Sequence, residues 1–114
     1  MRITICIACL LFILVGCSSN APKNVAEKFL MNLSAGKIDE AKKYATEPTG
    51  KMLDLMIGLG GAKDLNPNFK FTFVRDSIVE NQAWVFYKDE KDKPDKIELV
   101  KLDGKWKVNV GSKK

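Results

Sequence analysis

Three cysteines, fourteen carboxylates and no histidine make up the reactive inventory of this 114-residue chain. Cys17 has the most informative surroundings. Arg2 precedes a largely apolar run from Ile3 to Leu14, and Val15 and Gly16 separate that run from Cys17. A basic start, an apolar middle and a small residue before the cut form the layout of a secretory signal peptide. The run is little more than half of the ~20 residues that a membrane-spanning helix needs. Cys6 and Cys9 lie inside the run and would leave with the signal segment, residues 1–16. The domain beyond Cys17 has no thiol, so no disulfide framework is expected even in an oxidising compartment.

The missing histidine removes the commonest general base, the commonest metal ligand and every Ser-His or Cys-His nucleophile. Carboxylates alone can bind calcium, but no Asp-x-Asp-x-Asp-Gly loop is present. No metal and no cofactor are therefore expected. Asp54, Asp76 and Glu80 are the acids outside the plainly solvated stretches. An acid enclosed by apolar groups has a raised pKa and can act as a base. A weak hydrolase or isomerase is thus the alternative function. No spacing singles out a pair of acids, and a non-catalytic module is the primary expectation.

Removal of residues 1–16 leaves 98 residues, enough for one domain with one core. Arg2 is the only charged side chain removed, so 18 basic and 14 acidic groups remain, a net charge of about +4. The lysines are scattered along the chain. Nucleic acid is not an expected partner for an exported protein. Such a field favours anionic headgroups or wall polymers, although solvated lysines are the commoner source of such a balance.

The elements that would position these groups follow from periodicity. Residues 17–21 read as a polar tether, 22–110 as one domain and 111–114 as a disordered tail. Pro22 suits a first helical position. Val25, Ala26, Phe29, Leu30 and Leu33 recur at helical spacing, and Gly36 is the stop. A short helix from Ile38 would bury Ile38, Ala41, Tyr44 and Ala45. A third, starting at Thr46 or Thr49, would present Met52, Leu53, Met56 and Leu59, ending at Gly58 to Gly61. Phe69, Phe71 and Phe73 alternate as a first strand. Glu80-Asn81 turns into Ala83 to Lys88, residues 89–96 form a charged loop, and Ile97 to Leu102 is the third strand. Asp103-Gly104 is a hairpin turn leading to Lys105 to Val110. Helices followed by an antiparallel meander give an α+β fold: N-terminal helices packed on a four-stranded sheet. Trp84 and Phe86 share one face of the second strand and Ala83, Val85 and Tyr87 the other. Since helices cover one face only, Trp84 and Phe86 are candidates for an interface with a second copy or an envelope protein, or else an exposed aromatic pair at a sheet edge.

Leu14-Val15-Gly16-Cys17 resembles the lipobox of bacterial lipoproteins. The resemblance implies two or three acyl chains on Cys17 and effectively permanent membrane attachment. Ser18 is not the aspartate that retains lipoproteins in the inner membrane of enteric-type bacteria. The resemblance thus implies the outer membrane in a Gram-negative source, and otherwise the outer leaflet of the cytoplasmic membrane.

Val25-Ala26-Glu27-Lys28-Phe29-Leu30, Gly36-Lys37-Ile38-Asp39-Glu40-Ala41, Tyr44-Ala45-Thr46 and the closing strand pair Leu99 to Val108 resemble small bacterial lipoproteins of unknown function. Their domain is of the nuclear transport factor 2-like, or cystatin-like, superfamily. That resemblance implies a curved sheet wrapped on helices as a cone whose mouth holds a small apolar ligand, and frequent dimerisation through the outer sheet face. Phe29, Tyr44, Met52, Met56, Phe71, Phe73 and Trp106 are the residues expected to line the cone. The commoner role of such residues is to fill a core, since a 98-residue domain needs all its apolar volume.

Overall fold

The structure, a computed structural model, describes residues 21–110. The signal segment, Cys17 and the tail 111–114 lie outside the described residues. The chain opens with α1 (Pro22–Ser34), which has Pro22 in its first turn and buries Val25, Ala26 and Phe29. Its end is a Schellman motif. Gly36 adopts φ +80° and its N–H donates to the Leu33 carbonyl at 3.0 Å, while the Lys37 N–H reaches the Asn32 carbonyl at 2.9 Å. The short α2 (Ile38–Lys42) follows, then α3 (Glu47–Gly58). Thr46 caps α3, its side chain accepting the Thr49 N–H. Gly60, in the left-handed region, leads into a 3₁₀ turn at Gly61–Asp64.

Four strands then pair in sequence order, all antiparallel: β1 (Thr72–Val79), β2 (Gln82–Lys88), β3 (Pro94–Leu102) and β4 (Lys105–Val108). Asp103 and Gly104 both take positive φ, and Leu102 lies opposite Lys105 and Lys101 opposite Trp106. That is the register the Asp-Gly turn predicts. Glu80-Asn81 is also a two-residue turn, with Val79 opposite Gln82.

Three boundaries differ from the sequence expectation. β1 begins at Thr72, so Phe69 and Phe71 precede it. Their rings pack instead on Tyr87, edge-on at 6.2 Å and stacked at 5.2 Å, and a register shift between Phe73 and Arg75 breaks the simple alternation. β3 begins at Pro94 because the charged loop is closed early. The Asp89 carboxylate accepts the Lys91 and Lys93 N–H groups, each at 2.9 Å. β4 ends at Val108, whose N–H donates to the Tyr44 carbonyl while its own carbonyl accepts the Thr46 N–H. Beyond that bridge the Val110 N–H turns to the Thr49 hydroxyl.

Packing is layered: α1 lies on the sheet, α2 packs on α1, and α3 packs on α2. Ala83, Val85, Tyr87, Ile97, Leu99, Trp106 and Val108 form the inner sheet face, closed by Val25, Ala26, Phe29, Ala41, Ala45 and Leu53. The fold is therefore α+β, three helices on a four-stranded antiparallel sheet, as the order of periodicities predicts. β1 contributes nothing to the fully buried core and is an edge strand.

Candidate functional site

The seven residues expected to line a cone are distributed over several environments. Phe29 is 2% exposed and belongs to the core, where it fills volume. Phe71 is half-buried against Tyr87. Phe73 lies on the edge strand under the Lys23 ammonium, 4.9 Å from its ring centroid. Met52 and Met56 lie on an exposed side of α3. The inward side of that helix is taken by Thr49, Gly50 and Leu53. Of the seven, Tyr44 and Trp106 share a concavity, a pocket of about 180 Å³ with Val25, Lys28, Lys43, Lys105 and Lys107 around it.

A larger concavity lies elsewhere. The end of α1, the Schellman turn, the last turn of α3 and the 3₁₀ segment enclose a groove of about 420 Å³. Ile38, Ile57, Ala62, Leu65 and Pro67 supply its apolar wall, with Ser34 and Lys63 at its margin. A smaller hollow of about 160 Å³ shares Ser34 and Leu65 with it and adds Leu30, Leu33 and Phe69. Small side chains at two turns make this space: Ala35-Gly36 on one side and Gly61-Ala62 on the other. Gly61 has no room for a side chain, since an added Cβ would meet the Met56 carbonyl oxygen at 2.8 Å. The volume falls within the ~300–1,000 Å³ of small-molecule sites, which are apolar with few polar groups. Sequence periodicity does not reveal it, because its walls come from separate segments. The one available signal is the concentration of small residues at both helix ends.

The expected acids do not line these concavities, although Asp54 borders another of about 320 Å³ with Lys42, Glu47 and Lys51. Asp54 pairs with Lys42 at 2.8 Å, and both side chains are solvent-accessible. The shared hydrogen bond with Asp54 holds the Lys42 ammonium above its ordinary pKa. Asp76 and Glu80 are exposed on β1 and in the following turn. Asp89 has its pKa lowered, first by the backbone N–H of Lys93. Among the described residues, no three His, Cys, Asp or Glu side chains gather as a metal site, and no helix is long and apolar enough to cross a membrane.

The outer sheet face holds Trp84 and Phe86, both half-buried. The Arg75 guanidinium lies 4.0 Å from the Phe86 ring centroid, while Trp84 is flanked by Ser77 and Glu98 on the neighbouring strands. On this face the edge strand exposes Val79, opposite Gln82, whereas the exposed Ile78 lies opposite the inward Ala83.

Helices stacked on one face of an open antiparallel sheet, with an apolar groove at the helix ends, define a small α+β domain. Residues 15–109 match the family model described as a domain of unknown function (DUF4878), and the chain belongs to that family. No curated protein and no solved structure matches it.

Proposed function

We propose that this chain is a lipoprotein of the cell envelope, held by lipid on Cys17, whose domain is a non-catalytic module for a small apolar ligand. The observation that carries the ligand reading is the 420 Å³ groove with Ile38, Ile57, Leu65 and Pro67 in its wall. The leader pattern ending at Cys17 carries the anchor. Under this reading the domain is a relative of the nuclear transport factor 2-like superfamily whose ligand space sits at the helix ends. The protein resides in the outer membrane of a Gram-negative source, or otherwise on the outer leaflet of the cytoplasmic membrane.

Native mass spectrometry of the full chain, released from membranes in detergent, tests this. The mature mass reads acylation at Cys17, and a further mass of a few hundred daltons reads the ligand. Ala62 is exposed at the groove wall, so Ala62→Trp fills the space without touching the core. The added mass is expected to vanish in A62W while the thermal midpoint stays within about 2 °C. Wild-type protein that carries no ligand and takes up none from a membrane extract would overturn the ligand reading.

A second reading is favoured by the half-buried Trp84 and Phe86 on the outer sheet face, with the exposed Val79 on the same face of β1. On it, the module works through this face with a second copy or an envelope protein. A ligand-free dimer in the same experiment would select it.

A further inference from the structure

The net positive charge of the mature chain is concentrated around one small pocket. Lys28 on α1, Lys43 after α2, and Lys105 and Lys107 on β4 surround the 180 Å³ concavity lined by Tyr44 and Trp106. No carboxylate lines it. Among the described residues, Lys28, Lys105 and Lys107 form no ion pair, and Lys43 pairs only with Glu40, at 3.4 Å and with both side chains more than half exposed. The Lys107 ammonium donates to the Lys43 carbonyl at 2.8 Å, which fixes it beside the pocket with two further N–H donors in hand. A fifth ammonium, that of Lys101, lies 5.6 Å from the Trp106 ring centroid. These five charges exceed the net of about +4 of the whole mature chain. They come from three separate segments, which is why the lysines look scattered along the sequence.

We propose that this pocket is a phosphate-binding dock for the lipid headgroups of the membrane to which Cys17 is tethered. The inference rests on the lipoprotein reading for its geometry. Five residue steps separate Cys17 from Pro22, at most about 17 Å of chain. Lys28 lies six residues into α1, about 9 Å along its axis. The pocket is therefore within reach of the bilayer surface whenever the anchor is inserted. Anionic headgroups complement its charge, and ammonium groups close to such a surface are each attracted to it. The half-buried phenol of Tyr44 suits the headgroup level, where one end is apolar and the other wet, and the buried Trp106 beneath it reports on the pocket. Docking would fix the orientation of the domain on the membrane.

The test uses the full lipidated chain carrying Trp84→Phe, so that Trp106 is the only tryptophan. It is mixed with vesicles of phosphatidylcholine alone or with a third phosphatidylglycerol, both carrying a headgroup spin label. Flotation with the neutral vesicles reads the anchor. Quenching of Trp106 reads docking. Docking predicts strong quenching on anionic vesicles, weak quenching on neutral ones, and reversal by 0.5 M salt. The charge reversal Lys28→Glu with Lys105→Glu should abolish the quenching, while Lys51→Glu with Lys91→Glu, of equal charge change but remote from the pocket, should retain it. Each lysine lost should cost about five-fold in the docked-to-undocked ratio.

Equal quenching on both vesicle types, or equal loss in the two double variants, overturns the proposal. If the protein fails to float with neutral vesicles, the anchor reading has failed, and flotation with anionic vesicles alone, lost in K28E/K105E, still upholds the dock. Perturbation of Trp106 by inorganic phosphate at millimolar concentration without quenching on anionic vesicles would assign the pocket to a free anion and overturn the membrane assignment.

Discussion

Thr49 is fully buried and polar, and the stability of the domain should depend on its hydroxyl. That oxygen accepts the Val110 N–H at 3.0 Å and hydrogen-bonds the Thr46 hydroxyl at 2.9 Å. Through these bonds it ties the start of α3 to the chain leaving β4. Thr49→Val keeps the shape and exchanges the hydroxyl for a methyl, so no cavity forms. Thr46 keeps a partner in the Asn109 side-chain oxygen at 3.1 Å. The Val110 N–H is left without its acceptor, at about 1–3 kcal/mol for a buried donor. Burial of the added methyl returns about 0.8 kcal/mol. The net expectation is a loss of about 0.2–2 kcal/mol. For a domain of this size each kcal/mol moves the melting midpoint by roughly 4–8 °C. Guanidinium titration of the domain, followed by tryptophan fluorescence, should show a lower midpoint with an unchanged slope. An unchanged or increased stability would refute the reasoning and make the network ornamental.

Other consequences follow from the same contacts. The Tyr87 hydroxyl is held well above the ordinary tyrosine pKa, first by burial and then by the Asp95 carboxylate, which accepts its proton at 3.3 Å. A raised folded-state pKa means that this stabilisation is complete below about pH 10 and is lost as the pH climbs beyond it. Thermal melts between pH 8 and 12 should show an alkaline decline that Tyr87→Phe reduces. Phe29→Ala removes a ring from the centre of the core and should cost about 3–5 kcal/mol, measured by urea unfolding. Gly104→Ala places a side chain at φ +79°, so a loss of about 1 kcal/mol is expected, with hydrogen exchange faster in the β3–β4 hairpin than in β2.

The legible part of this fold is the part written in periodicity. Val25, Ala26 and Phe29 fall on one helical face, and Ile97, Leu99, Trp106 and Val108 on one sheet face, because spacing alone dictates which side each residue takes. The turns at Gly36 and Asp103-Gly104 could be read because positive φ restricts the choice of residue. Phe69 and Phe71 also alternate, yet they sit outside β1. Their rings gain more from stacking on Tyr87 than their backbones would from extending an edge strand, and local pattern does not register that competition. Met52 and Met56 are apolar at helical spacing but point outward, since the inward path is fixed by the Thr46 and Thr49 network with the distant Asn109 and Val110. Both concavities escaped for one reason. Each is built from segments far apart in the chain, and neither the small residues of one nor the lysines of the other form a linear motif.

The bridge from Tyr44 and Thr46 to Val108 has a consequence for assembly. It occupies the outward backbone groups of Val108, so the end of the β4 margin is covered by the protein's own chain. The other margin, β1, has no covering strand among the described residues. In the terms of polymer chemistry, the two margins differ in functionality. Strand addition at β4 would first require the Tyr44–Thr46 segment to peel away from Val108, and the buried Thr46 and Thr49 contacts resist that. The two backbone bonds that end β4 therefore make it the less reactive of the two margins.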